Sequence, residues 1–161
     1  VTATAGVTVS VPHAIWMPKL DAPRMTSIAS PTREEIVLKH PKMPSLEIQI
    51  PAGTIIRDRK GKIVTRIGIT PVPLDRAPFP VPALHDFRVY YTIQPAGAAL
   101  EGADGRPRQA KVVYPNYGQR DPGEGFLFWS YDPHDREWHV YGEGRVSADG
   151  NSVICPSRDL I

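Results

Sequence analysis

The sequence of 161 residues contains one cysteine, Cys155, and no long apolar run. A single thiol cannot form an internal disulfide, and structural zinc needs about four ligands, so disulfide scaffolds and zinc folds are excluded. A membrane helix needs about 20 apolar residues, so we expect no membrane insertion. The chain begins at Val1 without a basic-then-apolar signal segment, and we expect that it is either processed or excised from a longer chain.

A strong excess of charge of either sign is also missing. Lys and Arg total 19 while Asp and Glu total 17, which leaves a net charge of only +2. The densest basic group surrounds an Asp and a Gly, as expected of a solvated hairpin turn; it comprises Arg57, Arg59, Lys60 and Lys62. The sequence therefore predicts no nucleic-acid partner.

Long stretches without proline are rare in this chain. It has 18 prolines and 13 glycines, and because a proline inside a helix costs about 3 kcal/mol, a mostly helical fold is excluded. The combined share of the two residue types stays below the roughly 25–30% that indicates disorder. Composition therefore predicts a folded, turn-rich chain built from β-structure.

Short segments with the two-residue period of a strand recur along the chain. Leu46, Ile48 and Ile50 alternate with polar residues, and the segment 87–94 has the highest strand propensity. Further strands are predicted at 7–11, 34–39, 55–56, 63–70, 110–114, 126–132, 137–141, 145–147 and 152–155. These ten to twelve short strands with little helix predict an all-β fold, an antiparallel β-sandwich or barrel. The pattern over 45–70 is typical of a β-meander.

Two parts of the chain differ in composition. Residues 1–32 combine one alternating strand with a loop rich in Pro, Ser and Thr, whereas residues 33–161 hold the remaining strands of a β-sandwich-like module. The alternative is one continuous domain over 1–161. Five prolines in 71–82 predict a stiff crossover between sheets rather than a ligand for an SH3 or WW domain. This crossover is favoured because four of its apolar residues are spaced to pack inward: Val72, Leu74, Phe79 and Val81.

Catalytic and cofactor-binding motifs are missing. No Ser lies in a G-x-S-x-G context. The G-E-G pairs at 123–125 and 142–144 lack the further Gly and Lys of a phosphate-binding loop, so we interpret them as backbone bends beside strands. His134 and His139 lack a third preorganised nitrogen or sulfur ligand, which favours a hairpin turn over a metal site. We therefore predict no catalytic residue, no cofactor and no bound metal.

Aromatic residues are concentrated in one segment, 126–141. Strand alternation places Phe126 and Phe128 on one face and Trp129 and Tyr131 on the other. A hairpin with aromatic residues on both faces is more typical of a core than of a ligand site. The alternative is a surface that binds a sugar or a peptide, and its candidate residues are Trp129, Tyr131 and Trp138.

Six motifs follow one another in a specific order and spacing. They are LEIQIPAGT (46–54), IGITPVP (67–73), YTIQPAG (91–97), YPN (114–116), FWSYDP (128–133), and GEG followed by VSADG (142–150). With them, the segment 33–153 resembles the β-rich module found upstream of the repeats in large bacterial RHS/YD-repeat proteins. The resemblance implies a non-catalytic plug, cap or scaffold in a secreted or surface-delivered polymorphic toxin. It implies partners in the same parent chain or the delivery machinery.

The IPAGT turn at 50–54 is also similar to the start of ZU-type β-sandwich domains, some of which cleave themselves at a His-Phe-Ser site. Here the nearest match is His85-Asp86-Phe87-Arg88, with an inserted Asp and with Arg in place of Ser. This departure removes the nucleophile. The sequence thus leaves three hypotheses: a structural module, a sugar- or peptide-binding domain, and an autoproteolytic ZU-like domain. The oligomeric state is left open.

Overall fold

The computed structural model describes residues 5–8, 10, 17, 19, 21–77, 81, 88–132, 135 and 137–155. These residues contain eleven strands in antiparallel pairs and two short 3-10 turns, Ala22–Arg24 and Leu74–Arg76. The all-β prediction is confirmed, and the arrangement is β-sandwich-like. The strands are β1 (Thr26–Ser27), β2 (Ile36–His40), β3 (Met43–Ile50), β4 (Thr54–Arg57), β5 (Arg66–Val72), β6 (Tyr90–Gln94), β7 (Ala99–Gly102), β8 (Lys111–Pro115), β9 (Gly125–Asp132), β10 (Glu137–Val146) and β11 (Ser152–Ile154).

Within the described residues, the strands form three sheets. The largest has six strands in the order β2-β3-β8-β11-β10-β9, the second has the order β1-β5-β6, and the third pairs β4 with β7. Consecutive strands β3, β4 and β5 thus belong to three different sheets, so the β-meander predicted for 45–70 is wrong. The physical reason is that hydrophobic alternation specifies which residues face the core but not which strand supplies the hydrogen bonds.

A hydrogen-bonded turn takes the chain out of the large sheet after β3. The Thr32 hydroxyl donates to the Pro51 carbonyl (2.9 Å) and accepts the N–H of Thr54 (2.9 Å). The Thr54 hydroxyl donates to the same carbonyl (2.7 Å). Gly53 has a φ of 76°, a conformation that favours glycine. Because Thr32 and Thr54 are both buried, this network fixes the direction in which β4 leaves β3.

One hydrophobic cluster joins the three sheets. The three β3 residues that the alternation predicted belong to it, and none of these three is more than 1% exposed; Met43 of β3, at 3%, belongs to it as well. The cluster includes Leu46, Ile48 and Ile50 from the six-stranded sheet, Ile67 and Ile69 from the three-stranded sheet, and Ile56 and Leu100 from the β4–β7 pair. Burial of this apolar surface is the main force that holds the sheets together.

Several local predictions differ from the structure. Val72 is buried as expected, but Leu74 is 43% exposed because the 3-10 turn that contains it breaks the two-residue period of the strand. Phe79 lies outside the described residues. Strands β1 and β7 occupy segments that look like loops in the sequence. Of the strand predicted at 7–11, positions 7, 8 and 10 lie in no strand and the others lie outside the described residues.

The helical content of the described segments is limited to single turns. None of their helices has the length and the apolar character that crossing a bilayer requires.

Candidate aromatic site

The hairpin of β9 and β10 brings the three candidate residues onto one face. In its register Trp138 lies opposite Tyr131, and Val140 lies opposite Trp129. Residues opposite each other in an antiparallel pair point to the same side of the sheet, as do residues two apart on one strand. Trp129, Tyr131 and Trp138 are therefore neighbours, and each is half-buried.

The rings on this face meet at an angle rather than in a plane. The centroids of Tyr131 and Trp138 are 5.5 Å apart with an interplanar angle of 66°. Tyr90 of β6 also packs against Trp138, with a centroid distance of 5.5 Å and an interplanar angle of 56°. Burial, with a smaller contribution from Tyr131, raises the pKa of the Tyr90 phenol. We call Tyr90, Trp129, Tyr131 and Trp138 the ring wall.

A second group of rings occupies the opposite face of the same hairpin. The register shifts between Val140 and Gly142, which is a β-bulge, and Tyr141 at this bulge packs against Phe128. The rings of this group lie 5.0–5.9 Å from their neighbours in tilted or edge-to-face contacts; they are Tyr114, Phe126, Phe128 and Tyr141. Phe128 is only 4% exposed, so this face belongs to the core.

Between β6 and the hairpin lies a cavity of about 290 Å³, which we call the aromatic cavity. The residues lining it are Val89, Tyr91, Tyr114, Arg120, Gly125, Phe126, Leu127, Phe128, Trp129 and Tyr141. The hydroxyls of Tyr91 and Tyr141 neighbour each other, and both side chains line the cavity. Burial raises the pKa of Tyr91, and burial together with the neighbouring Tyr91, Cys155 and Tyr114 raises that of Tyr141 well above 10. Both phenols are thus neutral hydrogen-bonding groups at physiological pH.

Arg120 provides the positive charge of the cavity. Its guanidinium lies 5.6 Å from the centroid of the Phe126 ring and bonds to the Glu124 carboxylate at 2.6 Å. Asn116 holds the loop that carries Arg120: its side-chain amide donates to the carbonyls of Arg120 (2.8 Å) and Gly150 (2.9 Å) and its oxygen accepts the Arg120 N–H (3.0 Å). The cation is therefore placed by a loop tied to the β10–β11 turn.

Sequence reasoning missed Tyr90, Tyr91 and Arg120 as members of this region. The two tyrosines lie in the segment of highest strand propensity, where aromatic residues are common and do not by themselves indicate a binding site. Arg120 lies in a loop whose composition indicates only a turn. Finding them required knowing that side chains of β6 pack against the β9–β10 hairpin of another sheet, and one sequence does not contain that information.

Two other potentially reactive side chains, Cys155 and His40, are buried in the described part of the chain. The Cys155 thiol is buried, and burial raises its pKa, so it stays protonated near neutral pH. His40 is buried, with its Nδ1 accepting the N–H of Lys42 at 3.2 Å. Groups of three or more His, Cys, Asp or Glu suited to a metal are not found among the described residues. His134 and residues 85–87 lie outside them, so the expectation that self-cleavage does not occur at 85–88 stays a prediction.

We compared the chain with protein-family models, with curated proteins and with solved structures, and none of the three comparisons found a match.

Proposed function

We propose that the chain is a non-catalytic structural or interaction module of a larger, secreted or surface-delivered RHS-type protein, in which it serves as a plug, cap or scaffold. The observation that carries this proposal is a patch of exposed apolar side chains on three neighbouring strands. Leu127 of β9 is 45% exposed, Val140 of β10 is 43% exposed and Ile154 of β11 is 42% exposed. Contiguous exposed apolar residues on one face are typical of interaction surfaces.

The register supports a single face for this patch. Leu127 lies opposite Glu143, and Ile154 lies opposite Arg145, while Val140 lies opposite Trp129. Glu143 and Arg145 are two residues apart, as are Leu127 and Trp129, so all of these side chains point to the same side of the six-stranded sheet. We call Leu127, Val140, Glu143, Arg145 and Ile154 the outer patch.

The chemistry of the outer patch suits a protein segment. An open groove of about 700 Å³ is lined by residues of β9, β10 and β11, including every residue of the outer patch except Val140. Its walls combine the apolar Leu127 and Ile154 with one acidic and one basic residue, Glu143 and Arg145. Apolar contact with a balanced polar rim is the usual composition of a protein interface, whereas a polyanion would need an excess of positive charge. We infer that another segment of the parent chain covers the outer patch.

Thiol labelling in the parent protein tests this proposal. Leu127→Cys and Lys60→Cys are both at exposed positions of the chain. In the full-length parent we expect Leu127→Cys to react at least about tenfold more slowly than in the chain alone, because a covering segment excludes the reagent. Lys60→Cys, in the turn before β5, is the matched control and reacts equally in both.

Equal protection factors for the two variants would contradict the proposal. The coding sequence gives a second check, since an RHS-type parent continues downstream into YD repeats. A parent sequence without such repeats contradicts the RHS assignment even if the outer patch is covered.

The ring wall supports a second candidate function, a domain that binds a carbohydrate or a peptide. Trp129, Tyr131 and Trp138 lie on one face of the hairpin and are half-buried, so part of each side chain is open to a ligand, although the rings of Tyr131 and Trp138 are inclined at 66°. Two of the chain's three tryptophans are in the ring wall, so saturable quenching of tryptophan fluorescence by oligosaccharides or extended peptides is the expected signal. The signal should disappear in Trp138→Ala and persist in Tyr117→Phe, which lies outside the wall. Unchanged fluorescence at millimolar ligand excludes this function.

A further inference from the structure

The aromatic cavity has properties of a binding site that differ from those of the outer patch and the ring wall. We propose that it binds a single uncharged aromatic ring that carries a hydroxyl group, that is, a phenol. The inference goes beyond the proposed structural function and does not depend on the identity of the parent protein.

The size of the cavity limits the ligand to one ring. Its volume is about 290 Å³. An engineered protein cavity of roughly 150 Å³ binds benzene, and pockets for drug-sized ligands start at about 300 Å³. A benzene ring with one or two small substituents therefore fits, whereas a nucleotide or an oligosaccharide does not.

The walls of the cavity suit an aromatic ligand. Tyr114, Phe126, Phe128 and Tyr141 already contact one another at centroid distances of 5.0–5.9 Å, in tilted and edge-to-face geometry. A further ring entering the space between them and Val89 meets ring edges and faces in the same favourable orientations. A saturated sugar ring would bury several hydroxyl groups against these rings without partners, which is costly.

The polar groups of the cavity favour a ligand that carries a hydroxyl group. Tyr91 and Tyr141 both line the cavity, and their hydroxyls neighbour each other. Two hydroxyls that share one hydrogen bond keep one hydrogen to donate and lone pairs to accept. Among the described residues neither hydroxyl makes a further side-chain bond. A ligand hydroxyl both accepts and donates, so it can accept from one of the two tyrosines and donate to the other. A hydrocarbon of the same shape leaves the remaining hydroxyl hydrogen without a partner.

The charges beside the cavity favour an uncharged ligand. Arg120 is the only cation that lines the cavity among the described residues, and its guanidinium is bonded to Glu124 at 2.6 Å. A carboxylate ligand would have to compete with Glu124 for Arg120, and an ammonium ligand would meet the guanidinium directly. A neutral phenol leaves this ion pair intact.

Binding of p-cresol and toluene to the whole chain tests the proposal, because the two probes have nearly the same shape and differ in one hydroxyl. We expect p-cresol to bind about fivefold to tenfold more tightly than toluene, as measured by calorimetry or by NMR titration. The double variant Tyr91→Phe/Tyr141→Phe should reduce this ratio to about one without weakening toluene binding. Tyr117→Phe is the matched control: its hydroxyl donates to the Pro44 carbonyl at 2.8 Å, away from the cavity, and the ratio stays as in the wild type.

A second variant locates the site. Val89→Trp places a large ring in the lining of the cavity, and both probes should then lose binding while the NMR spectrum still shows a folded protein.

The phenol that binds in the cavity could belong to a free small molecule or to a tyrosine side chain of a partner protein. N-acetyltyrosinamide distinguishes them, because comparable affinity indicates a tyrosine and binding of p-cresol alone indicates a free phenol. Absence of p-cresol binding, equal binding of both probes to the wild type, or binding retained in Val89→Trp overturns the proposal.

Discussion

Replacing Phe128 with Ala lowers the free energy of unfolding by about 4 kcal/mol, whereas Phe126→Ala costs about 2 kcal/mol or less. Both residues lie on the same face of β9, two positions apart. Phe128 is 4% exposed and its ring contacts Tyr114, Phe126 and Tyr141, so its removal leaves a cavity inside the core. Phe126 is only half-buried, and water can fill part of the space that its removal opens.

Urea unfolding of the two variants beside the wild type measures this difference, with the slope of the transition checked for constancy. Equal losses for Phe126→Ala and Phe128→Ala would show that the inner face of the hairpin is not core. The comparison also separates packing from ligand binding, because Phe126 and Phe128 both line the aromatic cavity but only Phe128 is a core residue.

Gly144→Ala is expected to cost about 3 kcal/mol, an unusually large loss for adding one methyl group. A Cβ at this position would lie 2.7 Å from the Ile154 carbonyl oxygen, 2.9 Å from Phe128 Cε2 and 3.0 Å from Val153 Cγ1. The nearest of these atoms belongs to the backbone of β11, which pairs with β10 beside Gly144, so the clash cannot be relieved by a side-chain rotation.

The matched control for this change is Gly125→Ala. Gly125 lies on β9 opposite Arg145, next to Gly144 in the sheet, and a Cβ there meets no atom within 4 Å. Its replacement should change stability by no more than about 0.5 kcal/mol, and the expected direction is stabilising because glycine is entropically costly in a strand. For a domain of this size the loss at Gly144 corresponds to a melting temperature lower by about 6–12 °C. Melting temperatures that agree between the two variants would contradict the steric explanation.

Alternation in the sequence predicted much of the core because a strand with one buried face must place apolar residues at every second position. Leu46, Ile48 and Ile50 follow this rule, and all are buried.

The interpretation of the G-E-G segment 142–144 as a bend beside a strand is wrong, since these residues lie inside β10. Glycine is needed there for the close approach of β11 and Phe128, a tertiary cause that propensity does not contain.

The pairing of strands could not be predicted either, because it too depends on tertiary contacts that local propensity does not contain. β7 (Ala99–Gly102) has weak strand propensity and exists because β4 supplies its hydrogen bonds. The shared face of Trp129 and Tyr131 followed from alternation along one strand. Tyr91 and Arg120 could not be assigned to the aromatic cavity, because they approach Phe126 and Phe128 only once separate sheets and loops are assembled.

Few register pairs among the described residues attach the β9–β10 hairpin to the rest of the large sheet, so the hairpin is expected to unfold locally before the sheet does. Within the described residues the hairpin holds itself together through eight register pairs, but it joins β11 through only two, Arg145 with Ile154 and Val146 with Val153. Free energies of local opening follow the number of interactions that must break. The far end of the hairpin can therefore separate as one unit while β3 and β8 stay protected from hydrogen exchange. The amides of β9 are therefore expected to exchange before those of β3 and β8, at a rate set by the opening of the hairpin rather than by global unfolding.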